Sequence, residues 1–237
     1  MISVIKWAWQ AKPDTPAEKL VLVSLANSTF QTPREDIAVV GVRALRGTAC
    51  DMTPAELDAI LDRLEKQGFI TPLAADSEPV KWHIGALERE RGEEGPWKAW
   101  RLNAKTEKGD GEMSVRAVSW AYGLNLGSMT QKAVLLYLAY RAREEDNCAW
   151  PSVNLIQVET ELSERAVRKA LRELRDKGLI ALGDQELAAV DFHGDVVPVN
   201  RRPKVWTLRL DASTESFNGV ERAEDVQTAY TGRSVRS

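Results

Sequence analysis

Four basic side chains recur with helical spacing late in the chain: Arg165, Arg168, Lys169 and Arg172. Arg165, Lys169 and Arg172 stand at i, i+4 and i+7, so they share one stripe of a helix. The planar fork of arginine can pair with guanine, and both Arg and Lys neutralise phosphate. Ser163 and Glu164 precede them and could touch the backbone or a cytosine amine. This set has the right chemistry for contact with duplex DNA.

A second basic cluster, Asn200-Arg201-Arg202-Pro203-Lys204, comes just before an alternating apolar segment. Arg201, Arg202 and Lys204 are predicted to meet phosphate or the minor groove if this segment belongs to the wing of a hairpin. Both clusters also have a plainer interpretation. A charged helix face can be merely solvated, and a basic loop can simply aid solubility.

Three helices are predicted to position the first cluster. Ser128-Met-Thr-Gln131 is a capping box that opens an apolar run, and Pro151-Ser152 can start a middle helix that runs to about Glu159. After a short turn, Ser163 caps a third helix, which ends at Gly178. The apolar positions of that helix follow the 3.6 period: Val167, Ala170, Leu171 and Leu174. This order is a helix-turn-helix arrangement.

Two short strands follow the third helix. Residues 179–182 form an apolar run, and residues 205–210 alternate as a returning strand. Three helices and a terminal hairpin make a winged helix. The predicted fold is therefore mainly α with small β-hairpins, in the α+β class.

The chain also repeats itself. Three blocks of the first half align, in the same order, with blocks of the second half: 4–26 with 117–139, 53–70 with 163–180, and 98–102 with 204–208. In the first block Lys19 falls on Lys132. Because the order is kept and the shift changes little, the sequence predicts two tandem winged helix-turn-helix domains with loop insertions and deletions.

The predicted domains are 1–102, an acidic and divergent winged helix, and 113–210, a DNA-binding winged helix, joined by a polar linker at 103–112 and followed by a disordered tail at 211–237. A period of about 110 residues is far longer than a solenoid repeat. Each copy is therefore expected to bury its own core.

The first copy lacks the basic face. The positions equivalent to Arg165, Arg168, Lys169 and Arg172 are Ala55, Asp58, Ala59 and Asp62. Acids outnumber bases four to two over 53–66, whereas bases outnumber acids six to three over 163–177, so the first helix should repel phosphate. Ala55 and Ala59 would allow close helix approach, which suits a homodimer or a protein partner. The first copy could equally be a remnant that only stabilises the fold. Three arginines of its middle segment could still contact phosphate: Arg34, Arg43 and Arg46.

Composition excludes several other classes. The charge balance of 32 basic and 35 acidic residues is not that of a polycation, and apolar residues at 43% can fill real cores. No apolar run reaches the ~20 residues of a membrane span, and the N-terminus lacks the pattern of a secretory signal. The sequence predicts a cytoplasmic protein with no membrane contact.

Catalytic and metal-binding motifs are missing from the sequence. Two cysteines and two histidines form no cluster with metal-ligand spacing, so no metal is expected. There is no phosphate-binding Gly-rich loop with Lys-Ser/Thr, no histidine pair beside a tyrosine, and no Gly-x-Ser-x-Gly elbow. We expect no enzyme activity and no cofactor.

Five segments carry a family resemblance: Met113-Ser-Val-Arg-Ala-Val-Ser-Trp-Ala-Tyr122, Lys132-Ala-Val-Leu-Leu136, Ala149-Trp-Pro-Ser152, Leu162-Ser-Glu-Arg-Ala-Val-Arg-Lys-Ala-Leu171 and residues 174–180. Over about 113–182 the chain resembles the helix-turn-helix domain of phage- and plasmid-type replication proteins and related regulators. That family usually has glycine in the turn, where this chain has Glu161, and a small alanine in the middle helix, where it has Gln157.

The resemblance implies sequence-specific binding of double-stranded DNA. The implied role is replication initiation or transcriptional regulation in a phage, plasmid or other mobile element. The alternative is a non-catalytic protein-interaction adaptor, since winged helices also serve as partner-binding modules. The acidic first copy and a net charge of -3 fit that alternative.

Overall fold

The computed structural model describes residues 2–29, 36–41, 45, 52–74, 76–77, 80–81, 84, 97–104, 114–190 and 195–212. Compactness divides the chain into two units: 1–112 with 127–129 and 154–164, and 113–126 with 130–153 and 165–237. Two segments of the predicted second domain therefore group with the first unit. Residues 1–112 are called the N-terminal half, and residues 113–237 the C-terminal half.

The N-terminal half combines three helices with a small sheet. Its elements are α1 (Ile2–Gln10), α2 (Pro16–Ser28), β1 (Ile37–Gly41), α3 (Pro54–Lys66), β2 (Ile70–Leu73) and β3 (Trp97–Leu102). The sheet is antiparallel in the order β1-β3-β2, with Ile37 opposite Arg101 and Ile70 opposite Leu102. Helix α2 packs against α1, α3 and β1 and is buried over most of its length.

The C-terminal half has the same order of elements with one more helix described. Its elements are α4 (Val115–Gly123), α5 (Met129–Arg141), β4 (Cys148–Ala149), α6 (Val153–Thr160), α7 (Glu164–Asp176), β5 (Ile180–Leu182) and β6 (Trp206–Leu208). The sheet order β4-β6-β5 repeats that of the N-terminal half. Ile180 faces Leu208 just as Ile70 faces Leu102. The protein is thus a mixed α and β fold with small antiparallel sheets.

All three helices predicted in the second copy are confirmed, as are the helix after Thr53 and both hairpins, but two elements in each half were missed. The missed helices are α1, which contains Trp7 and Trp9, and α4, which contains Trp120. Their buried positions lie about four residues apart, but nine residues show this helical period only about twice, which is too little to predict a helix. Strands β1 and β4 were also missed, because β4 has two residues and β1 lies in the irregular middle of the first copy.

Other predictions lie outside the described residues. They include Arg34, Arg43 and Arg46 of the middle segment of the first copy; of residues 42–51 only Leu45 is described, and it is helical. They also include most of the linker and most of the tail.

The helix ends follow the signals in the sequence. Thr53 forms a full capping box with Glu56. At Thr15, which has the same pattern with Glu18, the box is only half formed, because the side chain of Glu18 accepts from the amide of Asp14 instead. Proline occupies the first helical position of both α2 and α3.

Glycine closes α3 and α7 in the same way. Gly68 has φ 77° and Gly178 has φ 73°, both in the left-handed region that favours glycine. After α7, the amide of Gly178 bonds the carbonyl of Arg175, and that of Leu179 bonds Leu174. The same two bonds follow α3, so both helices end in a Schellman motif. This sharp ending sends the chain directly into β2 or β5.

A buried lysine of α2 caps the C-terminal end of α1 in the N-terminal half. Lys19 on α2 is fully buried, and its ammonium group donates to the backbone carbonyls of Ala8, Trp9 and Ala11. Ala8 and Trp9 lie in the last turn of α1 and Ala11 directly follows it, so their carbonyls have no partners inside the helix. Burial, together with the positive charge of Lys12, lowers the pKa of Lys19 to about 8. The group still carries its proton at neutral pH, so all three of its N–H bonds have acceptors.

The C-terminal half repeats this arrangement. Lys132 on α5 is buried and donates to the carbonyls of Ala121, Tyr122 and Leu124 at 2.8, 2.7 and 2.7 Å. Each of these residues lies 113 positions after its counterpart around Lys19. The charge lies at the negative end of the α4 dipole, which offsets part of its desolvation.

A polar clamp joins α2 to α3 in the N-terminal half. The carboxylate of Glu18, which is buried, accepts a hydrogen bond from Arg63 at 2.5 Å and another from Gln67 at 3.0 Å. Burial raises the pKa of Glu18, but the bonds from Gln67 and Arg63 outweigh it and leave the pKa below its usual value.

The equivalent positions of the C-terminal half carry a clamp of reversed polarity. Gln131 on α5 donates to Glu173 at 2.8 Å and accepts from Lys177 at 2.7 Å. These three residues are the counterparts of Glu18, Arg63 and Gln67. The two clamps therefore use equivalent positions, but the carboxylate lies on the buried helix α2 in the N-terminal half and on α7 in the C-terminal half.

The clamp yields a stability prediction. Gln131→Glu alone should lower the free energy of unfolding by about 1 kcal/mol, because it removes the donor to Glu173 and sets two carboxylates side by side. Adding Glu173→Arg and Lys177→Gln transplants the N-terminal clamp and should recover most of that loss. Urea unfolding of the three proteins measures both changes. A triple variant no more stable than Gln131→Glu would show that the two clamps are not equivalent.

Candidate nucleic-acid interface

Helix α7 has two contrasting faces. Its apolar residues Val167, Ala170, Leu171 and Leu174 are all buried, as their period predicts. The face on the other side is charged and lies in solvent. Burial of the apolar face orients the helix and holds the charged face outward.

The structure brings the predicted DNA-contacting side chains together on that outer face. The basic face consists of four exposed residues: Arg165, Arg168, Lys169 and Arg172. Ser163 and Glu164 are also exposed, at the start of the helix. Lys169 lies 3.6 Å from Glu173, an exposed ion pair that is worth little and breaks easily. Within the described part of the chain, neither Arg165 nor Arg172 has an acidic partner.

A turn of three residues connects α6 to α7. Glu161 occupies the left-handed region at φ 57°, at the position where the resembling family has glycine. A residue with a Cβ is strained in this region by about 1–2 kcal/mol. The turn keeps its geometry despite the glutamate. Just before it, the buried hydroxyl of Thr160 donates to the carbonyl of Ile156.

The wing comprises residues 183–205 between β5 and β6, of which 183–190 and 195–205 are described. Arg201 and Lys204 are exposed, as the prediction of DNA contact requires. Arg202 is different, because its side chain is only 19% exposed and its guanidinium donates to Val197 O at 3.0 Å and to Glu186 at 3.2 Å. Arg202 therefore holds the wing together.

Two further wing residues were not singled out in the sequence. The side-chain amide of Gln185 donates to the carbonyl of Val205 and its oxygen accepts from the amide of Val205, so it ties the two sides of the wing together. At Gly183 an added Cβ would lie 2.6 Å from the hydroxyl of Thr207 and 3.4 Å from Cys148 Sγ. Only glycine fits there. A sequence pattern does not show such a contact, because it depends on how β4 and β6 pack.

Helix α3 offers no such basic face. Ala55 and Ala59, the predicted protein interface, are exposed on α3 beside Asp58 and Asp62. Asp58 pairs with Lys98 of β3 at 2.7 Å, in an exposed ion pair. The role of Ala55 and Ala59 in an interface stays a prediction.

The described residues contain no group of three or more His, Cys, Asp or Glu residues placed to hold a metal ion. None of their helices has the length and apolar character needed to cross a bilayer.

One comparison with known proteins gives a match. Residues 128–180 match a helix-turn-helix domain family. The matched segment begins at α5 and ends at the first residue of β5, so it contains α6, the turn at Glu161 and the whole basic face. No curated protein and no solved structure matches the chain. The match supports a DNA-binding helix-turn-helix in the C-terminal half.

The turn provides a test of the geometry. Glu161→Gly and Glu161→Ala both remove the carboxylate, but only alanine keeps a Cβ in the left-handed region. The glycine variant should therefore be more stable than the alanine variant by about 1 kcal/mol. Thermal unfolding of the two variants side by side measures this difference. Equal stability would mean that the turn does not adopt the left-handed conformation.

Proposed function

We propose that this chain is a tandem winged-helix protein whose C-terminal half binds a specific double-stranded DNA site. The basic face of α7 contacts the major groove, while Arg201 and Lys204 of the wing contact the backbone or the minor groove. The observation that carries the proposal is the exposure of the basic face within a matched helix-turn-helix segment. In such a motif the second helix lies in the major groove.

The chemistry of the face supports specific recognition as well as attraction. Arg165 and Arg172, which have no acidic partner among the described residues, present exposed guanidinium forks that can bond a guanine through two N–H groups at once. Lys169 can give up its exposed pair with Glu173 for a phosphate at little cost. Ser163 and Glu164 stand at the N-terminal end of α7, where a recognition helix reaches base edges.

The tandem nature of the protein rests on shared contacts. Both halves have the same sheet order, the same Schellman ending and the same buried lysine with three carbonyl partners. Their polar clamps occupy equivalent positions. Two unrelated domains would share such details only by coincidence, so we infer duplication of one module. The N-terminal module has since lost its basic face.

We assign the protein to replication initiation or transcriptional regulation in a phage, plasmid or other mobile element, with no catalytic step and a cytoplasmic location. This assignment rests on the resemblance of the C-terminal half to proteins with those roles. Either role requires a protein that binds one DNA site among many. The basic face and the wing together supply the contacts for such binding.

A second candidate function is that of a protein-interaction adaptor. The observation that favours it is the exposed face of α3, where Ala55 and Ala59 leave room for a partner helix or a second copy. Salt dependence separates the two functions. Four to six phosphate contacts give a log-log slope of affinity against salt of roughly -4 to -5, and an adaptor gives almost none.

The proposal predicts the effect of removing three charges from α7. Arg165→Ala, Lys169→Ala and Arg172→Ala together should weaken binding to a duplex selected from a random pool by at least about 100-fold. They should also reduce the salt slope by about 2 to 3. Fluorescence anisotropy at several salt concentrations measures both quantities.

The control carries the same change of charge elsewhere. Lys6→Ala, Lys66→Ala and Lys81→Ala remove three exposed cations from the N-terminal half. This variant should bind DNA within a few-fold of the wild type. If both triple variants lost affinity equally, binding would depend on net charge and not on α7. If the wild type selected no sequence at low salt, the adaptor would replace the proposal.

A further inference from the structure

A lysine of the loop between α1 and α2 contacts the end of α6. The ammonium group of Lys12 donates to the backbone carbonyl of Val158 at 2.5 Å. Val158 lies in the last turn of α6, where carbonyls have no partner inside the helix. A positive charge is favourable at this end of a helix dipole. Residues 154–164 belong to the same compact unit as residues 1–112, so this contact lies within one unit.

The same ammonium group pairs with the turn between α6 and α7. It lies 3.2 Å from Oε1 of Glu161, and that oxygen is shut off from solvent and accepts no hydrogen bond from the described residues. A buried carboxylate oxygen without a donor is costly, and a nearby positive charge offsets part of that cost. Lys12 is therefore the group that compensates the buried side of this carboxylate.

Glu161 is also the residue of the turn whose backbone is left-handed, with φ 57°. Glycine would adopt this conformation with less strain. It could not, however, supply a carboxylate to Lys12. The ion pair therefore gives a physical reason for a glutamate at a position where its backbone is strained.

The contact of Lys12 is not part of the repeated module. The buried lysines Lys19 and Lys132 recur 113 positions apart, and each ends the helix that precedes it. The residue 113 positions after Lys12 is Asn125, which carries no charge. Lys12 thus serves a purpose other than the fold that both copies share, and its two acceptors lie just before α7.

We propose that Lys12 is a positioning residue for DNA binding, which holds the end of α6 and the turn at Glu161 while the basic face of α7 contacts the duplex. This inference rests on the proposed function. The second helix of such a motif enters the major groove in a defined orientation, and the turn before it sets that orientation. A turn held less firmly presents the basic face in several orientations and binds more weakly. The N-terminal half then takes part in recognition through a residue that does not contact DNA.

The test uses the sign of a charge effect. Lys12→Gln and Glu161→Gln each break the ion pair, and glutamine at position 161 keeps the Cβ of the turn. Removal of an acid normally strengthens binding to a polyanion. We expect Glu161→Gln instead to weaken binding to the selected duplex by about three- to tenfold, as Lys12→Gln does, since the ammonium group is half-exposed and the pair is of modest strength. Fluorescence anisotropy at several salt concentrations should show an unchanged salt slope for both variants, because no phosphate contact is lost.

Matched controls change the same residue types elsewhere. Lys6→Gln and Glu144→Gln replace exposed residues, and neither variant should lose affinity. Lys12→Arg keeps the positive charge and should bind like the wild type. The double variant Lys12→Gln with Glu161→Gln should bind no more weakly than either single variant, because both changes break the same pair.

A second measurement needs no DNA. Amide hydrogen exchange over residues 156–166 should be faster in Lys12→Gln and in Glu161→Gln than in the wild type, and unchanged exchange would overturn the proposal. Equal or tighter DNA binding by Glu161→Gln would overturn it too. So would a salt slope that falls by about 1 in Lys12→Gln, because Lys12 would then contact a phosphate itself. If the wild type bound no duplex at low salt, the proposed function would fall, while the exchange rates would still decide whether Lys12 holds the turn.

Discussion

A buried ammonium group at the end of a helix is the interaction on which each half of this protein depends. Lys19 and Lys132 each extend from a central helix to three carbonyls of the preceding one. A buried charge is tolerated only when every donor has an acceptor, so α1 and α4 can sit in only one place. The central helix thus arranged provides the surface on which the remaining helices and the sheet form a core.

The polar clamps extend this order to α7, the helix that carries the basic face. Gln131 holds α7 through Glu173 and Lys177, and Glu173 also pairs with the exposed Lys169. Arg172 takes no part in this clamp. In the N-terminal half Arg63 holds α3 to Glu18, although α3 has Asp62 at the position where α7 has Arg172. The clamp therefore works with either charge at that exposed position.

Much of this architecture was readable from the sequence, and the exceptions have physical causes. Capping residues and the glycines after α3 and α7 set most helix bounds, because these signals act locally. The sequence did not predict the nine-residue helices α1 and α4 or the two-residue strand β4. Elements this short depend on tertiary contacts for their stability and leave little pattern in the sequence. At the site, exposure of the basic face followed from periodicity. The structural role of Arg202 and the requirement for Gly183 did not, because both depend on contacts between distant segments.

The most direct test of the account is an amide NMR titration of the whole chain with a selected duplex. The account predicts large shifts for Arg165, Arg168 and Arg172 of α7 and for Arg201 of the wing. Amides of α3, around Ala59, should stay in place, since that helix lacks a basic face. Shifts concentrated on α3, or none on α7 at low salt, would contradict the claim that one module of the pair binds DNA through its outward-facing cations.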